Sequence, residues 1–156
     1  MLSRRNILGR ILASLAAVPL VSVIAHAKAS KKLWQPVNPS PLTFMNRARD
    51  LARLGSERGD GTPYGAVIIR DNIIVGEGWN RSHIHHDATA HAETEAIRDA
   101  AKRLGTRDLS DCQMVTNGGR PCPMCETAAY WAQIKKMWLE DGEDVVNAGG
   151  PKYGGC

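Results

Sequence analysis

The chain has 156 residues, 43% of them apolar, which suits a single domain with a sizeable core. Its formal charge of +4 comes from 20 basic and 16 acidic residues, but Arg4, Arg5 and Arg10 fall in an opening that holds no acid, and the remaining 17 against 16 is close to neutral. No basic run exceeds Lys31-Lys32 or Lys135-Lys136, so the basic face that grips a polyanion is missing and nucleic acid is not expected as a partner.

Residues 1–27 read as an export signal rather than part of the fold. Ser3-Arg4-Arg5-Asn6-Ile7-Leu8 resembles the twin-arginine motif. An apolar run follows from Ile11 to Ala25, and Ala25-His26-Ala27 fits a small-x-small cleavage site. The run is shorter than the roughly 20 residues of a membrane span. The expectation is a periplasmic protein starting near Lys28, with no stable membrane insertion after cleavage. The alternative is tethering by an uncleaved N-terminus. Twin-arginine export carries folded chains, so a cofactor bound before export would protect ligating thiols from an oxidising compartment.

Residues 28–41 form a leader punctuated by Pro36, Pro39 and Pro41, and residues 42–156 form the domain. Ser40 or Thr43 caps a first helix with Phe44, Ala48, Leu51, Ala52 and Gly55 on one face, closed by Gly59-Asp60-Gly61. Ala66 to Arg70, the turn Asp71-Asn72, and Ile73 to Trp79 predict a hairpin. Asn80 to Ala90 reads as a polar loop. Its His83, His85 and His86 suit solvated positions better than a second metal site. Ala92, Ala96, Ile97, Ala100, Ala101 and Leu104 recur at helical spacing, which predicts a helix over 91–104 stopped by Gly105. Gln113 to Thr116 is a strand, Asn117-Gly118-Gly119 a turn, and a helix runs from Pro123 through Trp131. Lys136 to Leu139 is a short strand, after which the acidic and then Gly-rich chain has little left to fold. The order α-β-β-α-β-α-β predicts helices layered on a sheet.

Two short strings carry the chemistry: His91-Ala92-Glu93 and Pro121-Cys122-Pro123-Met124-Cys125. One imidazole and two thiolates, His91, Cys122 and Cys125, supply three ligands for a tetrahedral Zn²⁺ and leave the fourth position open to water, as a catalytic zinc requires. The cysteines open one helix and His91 opens another, so each helix aims the positive end of its dipole at the metal. Glu93 is the general acid/base. H-x-E with P-C-x-x-C is the zinc-deaminase signature. Taken apart, a CxxC pair also reads as a redox dithiol and H-x-E as an ordinary capped helix start. Cys112 reads as a buried small hydrophobe; a Cys112–Cys156 bridge is conceivable but not legible from spacing.

With Pro63-Tyr64-Gly65-Ala66-Val67, Asp87-Ala88-Thr89-Ala90-His91-Ala92-Glu93, Glu95-Ala96-Ile97-Arg98, Pro121-Cys122-Pro123-Met124-Cys125 and Ala128-Ala129-Tyr130-Trp131-Ala132, the chain resembles the cytidine-deaminase-like superfamily from Phe44 to Trp138. Within it the similarity is to the bacterial guanine deaminase and tRNA adenosine deaminase branch. The resemblance implies an α/β domain of three layers, α/β/α, with a mixed central sheet, and a homodimer. It implies Zn²⁺ on His91, Cys122 and Cys125 and Glu93 as proton shuttle. It implies base contact by Asn80, backbone amides of Ala66 and Ala92 facing substrate, and Tyr64 beside the pocket, with Trp79 either walling the site or in the core. Arg120 stands where the family usually has an acid, and Pro151-Lys152 stands near the place of the acidic tail residue of guanine deaminases, so which ring is deaminated stays open. The expected activity is hydrolytic deamination of a small nucleobase, nucleoside or related amino-heterocycle, releasing ammonia. A tRNA or nucleic-acid deaminase is the alternative, and a non-catalytic zinc or CxxC redox module is the third.

Overall fold

The computed structural model describes residues 33–153. The signal segment, the first part of the leader and Cys156, with its suggested bridge to Cys112, lie outside the described residues.

Pro41–Glu57 forms α1. Ser40 caps it, its hydroxyl accepting the Thr43 N–H, and Pro41 occupies the first turn, where a missing N–H costs nothing. The expected apolar face, with Met45 added, is buried. Gly65–Arg70 (β1) and Ile73–Trp79 (β2) form the predicted hairpin, and Asp71 and Asn72 take the positive φ values of 51° and 62° that a two-residue hairpin turn demands. The loop after β2 holds one short helical turn, Ser82–His85 (α2), which the sequence reading did not anticipate; at four residues it is too short to show an apolar period. Ala92–Leu104 (α3) ends on Gly105 in the left-handed region. Gln113–Thr116 (β3) and Pro123–Trp131 (α4) fall on the predicted residues.

The chain past Glu140 contradicts the expectation of little further structure. Met137–Asp141 (β4) turns at Gly142 and returns as Asp144–Asn147 (β5). This strand has only one side chain, Val145, against the core, so its alternation was too weak to read. Such a short connection can only join antiparallel neighbours.

The sheet order is β2-β1-β3-β4-β5. β1 is antiparallel to both β2 and β3, β3 and β4 are parallel, and β5 closes antiparallel on β4, so the sheet is mixed. β1 is buried on both faces, which explains its unbroken apolar run. Ala66 and Ile68 join Ala92, Ala96, Ala100 and Ala129 on the side of α3 and α4. Val67 and Ile69 join Phe44, Met45, Ala48 and Leu51 on the α1 side. The result is the expected three-layer α/β/α sandwich.

The small residues on β2 set how close α3 comes. A Cβ on Gly78 would stand 2.3 Å from the Ala92 carbonyl oxygen, so only glycine admits the first turn of α3 there. Trp79 is core: it is buried in the α1 cluster, and its Nε1–H donates to Asp60 at 2.8 Å. The leader adds one bridge to the β2 edge, the Ile74 N–H donating to the Trp34 carbonyl at 2.9 Å. Among the described residues, no helix is long and apolar enough to cross a membrane.

Candidate active site

β1 and β2, antiparallel, and β3 deliver loops and helix starts to one end of the sheet, and the two signature strings meet there. His91 is the N-cap of α3 and Cys122 the N-cap of α4, and neither side chain makes a capping hydrogen bond. An N-cap side chain that does not cap is free to point elsewhere. Here His91 Nδ1 lies 3.6 Å from both sulfurs, and the sulfurs lie 3.6 Å from each other. Among the described residues these three are the one histidine, cysteine and carboxylate group whose donor atoms converge, all within 4.8 Å.

The donor set fits zinc in distance as well as in chemistry. A tetrahedral ion with Zn–S of about 2.3 Å and Zn–N of about 2.0–2.1 Å holds its sulfurs roughly 3.8 Å apart and each sulfur roughly 3.6 Å from the nitrogen. Burial, then the neighbouring Glu93 carboxylate, pushes the Cys125 thiol well above its ordinary pKa, so the pocket without a cation keeps that thiol neutral. A divalent ion supplies the positive charge that reverses this balance.

The loop into α3 is held by local bonds. Asp87 Oδ1 accepts the Thr89 N–H and hydroxyl, both at 2.7 Å, the His91 N–H donates to Thr89 O at 2.8 Å, and the Thr94 hydroxyl donates to His91 O at 2.9 Å. Two residues on, Glu93 is 7% exposed and faces the same cavity. The Thr116 hydroxyl at the end of β3 is 3.3 Å from Glu93 Oε1. It shares its single proton with the Gly65 carbonyl at 3.3 Å and the Asn117 carbonyl at 3.4 Å.

The cavity measures about 430 Å³, within the range of small-molecule sites, and is lined by Tyr64, Asn80, His91, Ala92, Glu93 and Cys122 among others. Asn80 is 4% exposed, and its Oδ1 accepts the Ser82 N–H at 3.0 Å and the Ser82 hydroxyl at 2.7 Å. A backbone N–H can bond only the amide oxygen, so the Asn80 NH₂ is left for the cavity as a donor. Asn117 also lines the cavity, but its amide is engaged with the Gly65 N–H at 2.7 Å and Pro63 O at 3.3 Å. Half-exposed Tyr64 covers Gly118, where an added Cβ would sit 2.5 Å from the ring.

Of the anticipated site residues, the structure gathers His91, Cys122, Cys125, Glu93, Asn80, Ala92 and Tyr64. Ala66 is fully buried in β1 between β2 and β3 and does not reach the cavity wall. His83, His85 and His86 do not converge on a metal position. Arg120 lines the cavity, but its guanidinium is engaged elsewhere: its Nε pairs with Glu126 and its Nη atoms donate to Ala148 O and Gly150 O. Thr116, Ser82 and Glu126 escaped sequence reasoning, since none belongs to a string with ligand or catalytic spacing. Cys112 is buried beside Asp111, its thiol pushed up to about 12, first by burial and then by that carboxylate, so it is inert.

Comparison with known proteins agrees with this geometry. The profile of the cytidine and deoxycytidylate deaminase zinc-binding region matches residues 40–140. A guanine deaminase of Bacillus subtilis (strain 168) is 45% identical over 108 residues, covering 69% of each chain. A tRNA-specific adenosine deaminase of Haemophilus influenzae is 40% identical over 112 residues, covering 70% of this chain and 63% of that one. The X-ray structure of guanine deaminase from Bacillus subtilis superposes with a TM-score of 0.60 at 46% identity; the match spans 64% of this chain and 62% of that one. The chain belongs to the cytidine and deoxycytidylate deaminase zinc-binding family.

Proposed function

We propose that the protein is a zinc-dependent hydrolytic deaminase of a small nucleobase, nucleoside or related amino-heterocycle, with His91, Cys122 and Cys125 as metal ligands. One observation carries the reading. The three donors converge, and two of them, His91 and Cys122, lie on the wall of the cavity that Glu93 and Asn80 also line. Zinc held there supplies a Lewis acid and lowers the pKa of a coordinated water to about 7.

The chain's own groups do the rest. Glu93 takes a proton from the attacking water, then delivers protons to the ring nitrogen and to the departing amine. The water oxygen bonds to the ring carbon, the carbon–nitrogen bond to the amine breaks, and the amidine-like N=C–NH₂ becomes an amide-type NH–C=O with release of ammonia. The Asn80 NH₂ selects a ring presenting an acceptor atom, and Tyr64 and Ala92 wall the ring. The 45% identity to a guanine deaminase favours a purine, but the tail of this chain is occupied elsewhere, so a wider panel of rings is appropriate.

A tRNA or single-stranded nucleic-acid deaminase is the second reading, favoured by the tRNA-specific adenosine deaminase relative. The near-neutral charge beyond residue 10 argues against it. The twin-arginine-like opening supports export to the periplasm, and the family resemblance supports a homodimer. A redox or purely zinc-binding module would make no use of Glu93.

Zinc-loaded protein incubated with guanine, adenine, cytosine, their nucleosides, aminotriazines and pterins should release ammonia with at least one small ring. Glu93→Ala should keep zinc and lose activity by about 10²–10⁴-fold. Full activity in that variant refutes the mechanism, and activity on tRNA alone selects the second reading.

A further inference from the structure

Arg120 and Glu126 bracket the ligand string, one residue before Pro121 and one after Cys125. They form an ion pair, with Glu126 fully buried and the Arg120 side chain a quarter exposed. The same two side chains take hold of four backbone groups of the C-terminal segment. Arg120 Nη1 and Nη2 donate to Ala148 O at 3.4 Å and Gly150 O at 3.1 Å. Glu126 Oε2 accepts the Lys152 N–H at 2.7 Å and the Tyr153 N–H at 3.1 Å. The start of this segment is anchored to β4, the Met137 N–H donating to Gly149 O at 2.8 Å and the Ala148 N–H to Met137 O at 2.9 Å.

We propose that residues 148–153 are a strap that clamps the zinc thiolates through Arg120 and Glu126, which are positioning residues for the metal. The proposal rests on the assignment of zinc to His91, Cys122 and Cys125. Its physical basis is the cost of a buried carboxylate. Both Glu126 oxygens are buried, and their partners are the guanidinium and the two tail N–H groups; without these a buried polar group is left unsatisfied. Remove the tail or the arginine and Glu126 must turn toward water. Glu126 is the first residue after Cys125, and its N–H is the first-turn bond to Cys122 O at 3.0 Å, so that movement is transmitted to both sulfurs. The tail fastens the metal loop, and Arg120 is the buckle.

The test is zinc release to an excess of chromogenic chelator, well below the unfolding temperature, with circular dichroism recorded for every variant. Arg120→Met and a chain ending at Asn147 should release zinc about 10- to 100-fold faster than wild type, the range for groups that orient metal ligands. Arg120→Lys should fall between, because an ammonium can pair Glu126 but cannot span both carbonyls. Tyr153→Ala, which keeps its N–H, should behave as wild type. If the shortened chain unfolds, the two substitutions at position 120 decide the question. Release at the wild-type rate in Arg120→Met, even with a lowered unfolding temperature, overturns the strap and leaves the metal assignment standing. Failure of wild-type protein to take up zinc overturns the metal assignment itself.

Discussion

Replacing Gly78 by alanine tests how the sheet positions the site. The new Cβ would lie 2.3 Å from Ala92 O and 2.4 Å from Ala96 N, both backbone atoms of α3. Ordinary contact is about 3.5 Å, so the helix must retreat by about 1 Å, since no flexible side chain is available to yield. Overpacking of this kind costs about 1–3 kcal/mol, and backbone obstruction puts it at the upper end, equivalent to about 10 °C in unfolding temperature for a domain of this size. α3 begins at the candidate metal site: His91 is its N-cap residue and Glu93 sits in its first turn. A displacement of about 1 Å at reacting groups costs on the order of 100-fold in rate. Thermal unfolding by circular dichroism and kcat/KM for the ring found in the substrate panel measure the two effects on one sample. Gly142→Ala serves as the comparison. Its Cβ meets nothing within 4 Å, but φ is +61°, so it adds backbone strain without moving α3. It should lose a few degrees and keep its kcat/KM. Unchanged stability in Gly78→Ala refutes the packing argument; lowered stability with unchanged kcat/KM refutes the link from β2 to the site.

Asn80→Asp keeps an oxygen for the two Ser82 bonds and removes the NH₂ donor, so kcat/KM should fall about 10- to 100-fold with the unfolding temperature held; a change confined to stability would count against base recognition by Asn80. Zinc affinity should rise with pH between 6 and 8, by about tenfold per pH unit for each proton released, because burial keeps the metal-free Cys125 thiol protonated and metal uptake must expel that proton. A pH-independent affinity, read by chelator competition, would contradict this. Burial alone would raise the Glu140 carboxyl, but the Gly118 N–H and the Arg49 guanidinium outweigh it and hold it below its ordinary value of 4.5. A depressed folded pKa contributes stability above the unfolded value and loses it as pH falls through the folded one. Glu140→Gln should therefore unfold at a lower temperature than wild type at pH 7 and converge with it on acidification below 4.5; a constant gap from pH 7 to pH 3 refutes the assignment.

The strings His91-Ala92-Glu93 and Pro121-Cys122-Pro123-Met124-Cys125 were sufficient to pick out the three donors that converge and the carboxylate that faces the same cavity, because ligand chemistry depends on residue type and on helix-opening positions that Pro123 and the α3 period mark locally. The hairpin at Asp71-Asn72, the α1 face and the limits of β3 and α4 were legible for the same reason: each is written in contiguous residues. The orientation of the Asn80 amide, the Thr116 hydroxyl at Glu93 and the fate of Arg120 were not, since each is settled by a partner on another element. Arg120 shows the difference most plainly. By sequence it was only an arginine standing where the resembled family usually has an acid, with either a ligand or open solvent as its surroundings. Folding brings residues 148–153 back against α4, and the buried carboxylate of Glu126 pairs with it. Nothing local marks Glu126 for burial, because its environment is assembled from segments more than twenty residues apart. Local chemistry thus picked out the groups that converge, and long-range packing alone decided which partners the remaining charged side chains take.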